Sequence, residues 1–154
     1  MTKNNGFTLI ELVFVVLVLG ILTGMAAPVF RRSYRRLGLE AASWTLTSSL
    51  SYARERAIME RVPVRVVFDE QEGTWRLATL EAGQFMDRRD RWARAHRLSN
   101  GLSFKTPPPF VTFYPDGTAD AASVDIVSLG ENICRLQVDP LLGRATAEEV
   151  ANAG

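Results

Sequence analysis

One cysteine, Cys134, and one histidine, His96, are all that the 154 residues hold of either type. A lone cysteine cannot form an intrachain disulfide, which removes the commonest staple of an exported domain without fixing the compartment. A zinc site built from Cys and His needs more of both. Charge of one sign is scarce too: 18 Lys+Arg stand against 17 Asp+Glu, a net charge of +1. No global basic excess therefore argues for nucleic acid. No Gly-x-Ser-x-Gly, phosphate loop, paired carboxylates or internal repeat stands out, so an enzyme is the least supported class and no cofactor or metal is implied. What remains is an ordinary globular composition, 47% hydrophobic and 23% charged, which excludes disorder and collagen. The length allows one domain with an appendage.

The apolar residues are unevenly spread. Phe7 to Phe30 is a run of 24 residues with a single charge, Glu11. As a helix it would span about 36 Å, more than the roughly 30 Å hydrocarbon core of a bilayer. Arg31, Arg32, Arg35 and Arg36 follow at once, as where a membrane helix meets a head-group layer. Two features depart from an ordinary anchor. An isolated carboxylate such as Glu11 costs roughly 2.5–3.5 kcal/mol in a bilayer, so it marks a function and needs a partner. Only Lys3 precedes the run, and positive-inside counting alone would put the four arginines in the cytoplasm. A secretory signal cleaved near Gly24-Met25-Ala26 and a plain uncleaved anchor are the bland alternatives. The long core, Glu11 and the weakly basic leader weigh against the signal.

Gly6-Phe7-Thr8-Leu9-Ile10-Glu11-Leu12-Val13 resembles the class III signal of type IV pilins and type II secretion pseudopilins. The match comprises a short polar leader, the Gly, the Phe after it, the Glu four residues on, and the apolar run. Pro28 falls where pilin-like helices commonly carry a proline, although a simple kink would also account for it. The resemblance implies cleavage between Gly6 and Phe7 by a prepilin peptidase, N-methylation of Phe7, a cytoplasmic N-terminus and a periplasmic head. That orientation overrules the arginine count. It also implies a role for Glu11: pairing with the Phe7 amine of a neighbouring subunit, so that burial of the carboxylate rewards correct register.

Leu39, Ala42, Leu46, Leu50, Ala53 and Ala57 recur at steps of three and four, one face of an amphipathic helix. Glu40, Ser43, Thr47, Ser51, Arg54 and Glu55 occupy the opposite side. A nearly continuous helix is predicted from about Phe7 to about Arg61, with Gly20, Gly24, Pro28 and Gly38 as bend or melting points. After Pro63 the period becomes two. Val64–Phe68 and Thr74–Leu80 read as a hairpin around Asp69–Gly73. Ala82–Arg97 reads as an irregular Arg-rich loop. Asn100-Gly101 marks a tight turn, and Pro107-Pro108-Pro109 a stiff connector. Phe110–Tyr114 reads as a strand, followed by a Pro115-Asp116-Gly117-Thr118 turn. Asp116 and Asp120 are too few for a calcium site. Ser123–Leu129 and Ile133–Val138 form a last hairpin around Gly130-Glu131-Asn132, with Cys134 as a small packed residue.

The predicted fold is α+β: a long helical spine on an antiparallel head of six to seven short strands, pilin-like. The predicted division is a leader over 1–6, an apolar helix over 7–30, its amphipathic continuation over 31–62, a β head over 63–147 and a flexible tail over 148–154. This order, with its Pro-Asp-Gly turn and late Gly-Arg, resembles the H-type minor pseudopilins of type II secretion; FimT-like minor pilins of type IV pili share the domain family. The first implies a structural subunit of a periplasmic pseudopilus. Its partners would be the prepilin peptidase/N-methyltransferase, other major and minor pseudopilins, the inner-membrane assembly platform, the membrane itself and secreted cargo. The second implies pilus assembly or DNA uptake, for which some members use a Gly-Arg-x-Arg stretch. Here that stretch reads Gly143-Arg144-Ala145-Thr146, without the second arginine. Arg88, Arg89, Arg91 and Arg144 are the candidate nucleic-acid contacts, weighed against a solvated loop with short-range Asp–Arg pairing.

Overall fold

The computed structural model describes residues 9–88, 94–128 and 132–151, with the backbone alone in 24–36 and at Asn132 and Ala151. Two compact units divide at Arg35 and Arg36. One helix, α1 (Leu9–Glu60), runs through Gly20, Gly24, Pro28 and Gly38 without interruption. Beyond its last turn Arg61 takes a left-handed φ of 57°, and Pro63 cannot extend the helix.

The second unit holds the later part of α1 and every strand. All six expected core positions of the helix, Leu39 through Ala57, are buried. The buried stripe is wider than the apolar periodicity indicates, because Ser43 and Ser49 are buried as well. Ser43 is thus a correction to the solvent-face assignment. Its hydroxyl donates to the Glu40 carbonyl at 2.9 Å, and that of Ser49 to the Thr45 carbonyl at 3.0 Å. A serine that satisfies itself on its own helix can be buried at little cost.

Nine strands form among the described residues: β1 (Val64–Asp69), β2 (Thr74–Glu81), β3 (Gln84–Asp87), β4 (His96–Arg97), β5 (Leu102–Lys105), β6 (Phe110–Phe113), β7 (Ala122–Ser128), β8 (Asn132–Val138) and β9 (Ala145–Ala151). All pairings are antiparallel. Sheet A has the order β3-β2-β1-β6, with β4 also on β2; sheet B has the order β5-β7-β8-β9. The β1–β2 hairpin is as expected, in the register Val64↔Thr79 to Asp69↔Thr74. The Asn100-Gly101 turn closes no hairpin: Leu98 N–H bonds the Gly73 carbonyl beside sheet A, whereas β5 pairs with β7 in sheet B. The turn therefore carries the chain from one sheet to the other, and the three prolines bring it back to β6.

Two expectations fail. The loop over 82–97 contains β3 and β4. Ala82 and Gly83, with φ of 49° and 84°, make a two-residue reversal that returns the chain along β2. The tail over 148–154 is not free as far as Ala151, because β9 pairs with β8 along its whole length. Asp139 organises the return: its Oδ1 accepts from the N–H groups of Leu141 and Leu142, and its carbonyl from Gly143. Ladder hydrogen bonds, rather than apolar burial, hold β9, so no hydrophobic pattern announces it. The Gly130-Glu131 turn lies outside the described residues.

The core joins both sheets to the helix. Phe104 of β5 packs edge-on against Phe68 and Trp75 of sheet A, with centroids 5.6 and 6.1 Å apart. Trp75, Leu77, Val111 and Phe113 meet Leu46 and Leu50 of α1 in one buried cluster with Ile126 and Leu136 of sheet B.

Candidate assembly site

Gly6 and Phe7 lie outside the described residues. Glu11 stands in the first turn of α1 and is exposed, where a carboxylate suits the positive end of the helix dipole. Around it Leu9, Ile10, Leu12 and Phe14 are 60–81% exposed. Exposed apolar side chains continue to Leu22. A continuous apolar surface of this kind marks an interaction with lipid or with other protein. Among the described residues no helix is long and apolar enough to cross a membrane; the described side chains of the predicted 7–30 span are those of 9–23. Pro28 lies within α1, at a position where only the backbone is described.

Of the four candidate nucleic-acid arginines, Arg88 and Arg144 are described. Arg88 is taken by Glu60 at the end of α1: Nη1 lies 2.6 Å from Oε2 and Nη2 2.9 Å from Oε1. Nη1 also donates to the Thr79 hydroxyl at 2.9 Å. The bidentate pair with Glu60 joins the end of β3 to the end of α1. Arg89 and Arg91 lie outside the described residues. Arg144 is exposed beside Gly143, far in sequence from Arg88. Gly143 itself is structural. Its φ is 59°, and a β-carbon there would collide with the Gly117 carbonyl and the Arg54 side chain. Arg54 Nε in turn donates to that carbonyl at 3.3 Å, so one helix residue ties down two turns.

The remaining polar candidates serve the fold. Asp116 Oδ1 accepts from the N–H and hydroxyl of Thr118, which holds its carboxyl below the usual range. Asp120 accepts from Thr112 N–H and from Tyr114 Oη. His96 stacks on Trp75 with centroids 5.3 Å apart. Cys134 is buried, and burial pushes its thiol pKa up. Sequence reasoning missed the Arg88–Glu60 and Arg54–Gly117 ties, because each joins segments whose spacing carries no signal.

The model of the type II transport protein GspH family matches residues 42–141, more than half of the chain. The chain belongs to the GspH family. This is the H-type minor pseudopilin family to which the residues pointed, a family of structural subunits rather than enzymes. A second model, the prokaryotic N-terminal methylation motif, matches residues 1–27 and includes Gly6, Phe7 and Glu11. No curated protein matches the chain.

Solved structures share the fold of this GspH-family chain. The minor pseudopilin EpsH from the type 2 secretion system of Vibrio cholerae is 16% identical with a TM-score of 0.61, covering 75% of this chain and 98% of its own. The type IV minor pilin FimU of Pseudomonas aeruginosa is 22% identical with a TM-score of 0.59, covering 73% and 90%. Escherichia coli GspH is 17% identical with a TM-score of 0.55, covering 71% and 84%.

Proposed function

We propose that this GspH-family chain is a minor pseudopilin that joins a periplasmic pseudopilus of type II secretion after cleavage between Gly6 and Phe7 and methylation of Phe7. The observation that carries the reading is one of position. The methylation motif over 1–27 coincides with the start of a helix whose described apolar side chains face outward, and a GspH head follows it. Before assembly the 7–30 segment anchors the chain in the inner membrane, head outward. In the filament the same surface packs on neighbouring helices, and Glu11 sets register against the Phe7 amine of the next subunit. The partners are the prepilin peptidase/N-methyltransferase, the other pseudopilins and the inner-membrane assembly platform. The DNA-uptake alternative loses ground because Arg88 is committed to Glu60.

Intact mass and N-terminal sequencing of the protein purified from membranes test this. A chain beginning at N-methyl-Phe7 is expected. A start near Ala27, or an intact Met1, would overturn it.

A further inference from the structure

The solvent face of sheet A carries an arginine held in an aromatic clamp. β1 turns Val64, Val66 and Phe68 into the core, which leaves Arg65 on the opposite face. Its guanidinium carbon lies 3.7 Å from the centroid of the Phe85 ring and 4.1 Å from that of Phe110. Its Nε donates to Thr112 Oγ1 at 3.1 Å. Three strands build this clamp: β3 brings Phe85, β1 brings Arg65, and β6 brings Phe110 and Thr112. Beneath it Ala78, the register partner of Arg65 on β2, is 2% exposed. Two ring faces and a hydroxyl thus fix the plane of the guanidinium before any partner arrives.

The clamp does not neutralise the charge. The other arginines of this sheet, and Arg88 just past β3, are in ion pairs: Arg76 with Asp87, Arg88 with Glu60, and Arg97 with Glu72. Arg65 has no carboxylate within ion-pair distance among the described residues, and its two η-nitrogens have no acceptor there. Phe110 and Tyr114, beside it, remain 39% and 38% exposed. A pre-oriented guanidinium fork rimmed by exposed aromatic rings is the composition of an interface anchor.

We propose that this face of sheet A is a docking surface for a protein partner that presents an Asp or Glu side chain. The carboxylate takes both η-nitrogens of Arg65 in a bidentate pair, while apolar atoms beside it cover Phe110. Charge complementarity selects the carboxylate, and the surroundings select protein over nucleic acid. A nucleic-acid strand needs several unpaired cations along its backbone and open ring faces for its bases. Here the neighbouring cations are paired, and the ring faces toward the fork are filled by the guanidinium. The surface depends on the head alone, so it stands independently of N-terminal processing.

The test is an NMR titration of the full chain in detergent micelles, following the Arg65 Nε–H signal and the Phe85 and Phe110 ring signals. A hexaglutamate peptide is expected to shift all three saturably, and a hexaglutamine peptide to shift none. Arg65→Lys keeps the charge but loses the fork, so it is expected to weaken hexaglutamate binding about fivefold or more. Phe110→Leu, which opens the clamp and keeps the strand, is expected to weaken it as well. Backbone amide spectra establish that each variant keeps the fold. Equal binding by Arg65→Lys and the unaltered protein would overturn the proposal. So would a DNA oligonucleotide or inorganic phosphate moving the same signals at lower concentration, which would make this a phosphate site.

Discussion

Trp75 on β2 donates its indole N–H to the hydroxyl of Ser49 on α1 across 3.0 Å, and the bond is buried. The same hydroxyl donates to the Thr45 carbonyl, so Ser49 links the helix ladder to the sheet. Ser49→Ala leaves the indole N–H without a partner in the core. Urea unfolding of the full chain in detergent should show a loss of about 1–3 kcal/mol, the cost of an unsatisfied buried donor.

Arg88 and Glu60 test the closure of β3 on the helix end. Their side chains are 15% and 31% exposed, so solvent screens the pair and about 1 kcal/mol is expected for either Arg88→Gln or Glu60→Gln. The double variant should cost little more than either single one, because both remove the same bond. Affinity for a DNA oligonucleotide should not change with Arg88→Gln; a clear loss would return this residue to the nucleic-acid reading.

Gly143 and Gly117 both have positive φ, 59° and 89°, but they differ in space. A β-carbon on Gly117 meets only ordinary contacts at 3.5 and 3.6 Å, whereas on Gly143 it meets backbone. Gly117→Ala should therefore cost about 1 kcal/mol from conformation alone, and Gly143→Ala several-fold more. Thermal melting of the two variants, compared directly, checks the order.

Lys105, Asp125, Arg135 and Glu148 stand in one cross-strand row of sheet B, with charges alternating across its four strands. Within it Arg135 holds Asp125 by two bonds of 2.8 Å. The hydrogen bond from Arg135 sets the Asp125 carboxyl below its ordinary range, against the opposing effect of burial. A pKa depressed in the folded state contributes stability above the unfolded value and loses it as pH falls through the folded one. Stability should therefore drop below about pH 4, and less steeply in Asp125→Asn. Denaturation midpoints from pH 7 down to pH 2 would show parallel curves if the pair contributes nothing.

Cys134 lies opposite Glu149 of β9 and lines a cavity of about 190 Å³ together with Leu39, Ser43 and Ala147. Burial raises its thiol pKa, so modification by a thiol reagent at neutral pH should be slow. A chain ending at Arg144 lacks β9 and should react about tenfold faster or more. Equal rates would mean that β9 does not cover this edge.

The helix and the first hairpin were legible because their side chains repeat with the period of the element. Steps of three and four from Leu39 to Ala57, and alternation from Val64 to Phe68, report burial on one face directly. The Gly6-Phe7-Glu11 signature was legible for a different reason: it is a local chemical motif that needs no fold to be read. β3, β4 and β9 were not, because short or exposed strands gain their stability from a partner strand rather than from their own apolar pattern. Ser43 misled for a related reason, since a hydroxyl bonded to its own helix can face a core.

Composition, periodicity and one N-terminal motif, all properties of neighbouring residues, determined by themselves that this chain is a spine followed by a β head of pilin-like type. Only the tertiary structure decided which arginines are occupied. Arg88 is neutralised by Glu60, 28 residues away, whereas Arg65 is clamped between Phe85 and Phe110 with its fork open. Side-chain charge is written in the sequence, but whether it is compensated depends on which strands the fold sets side by side.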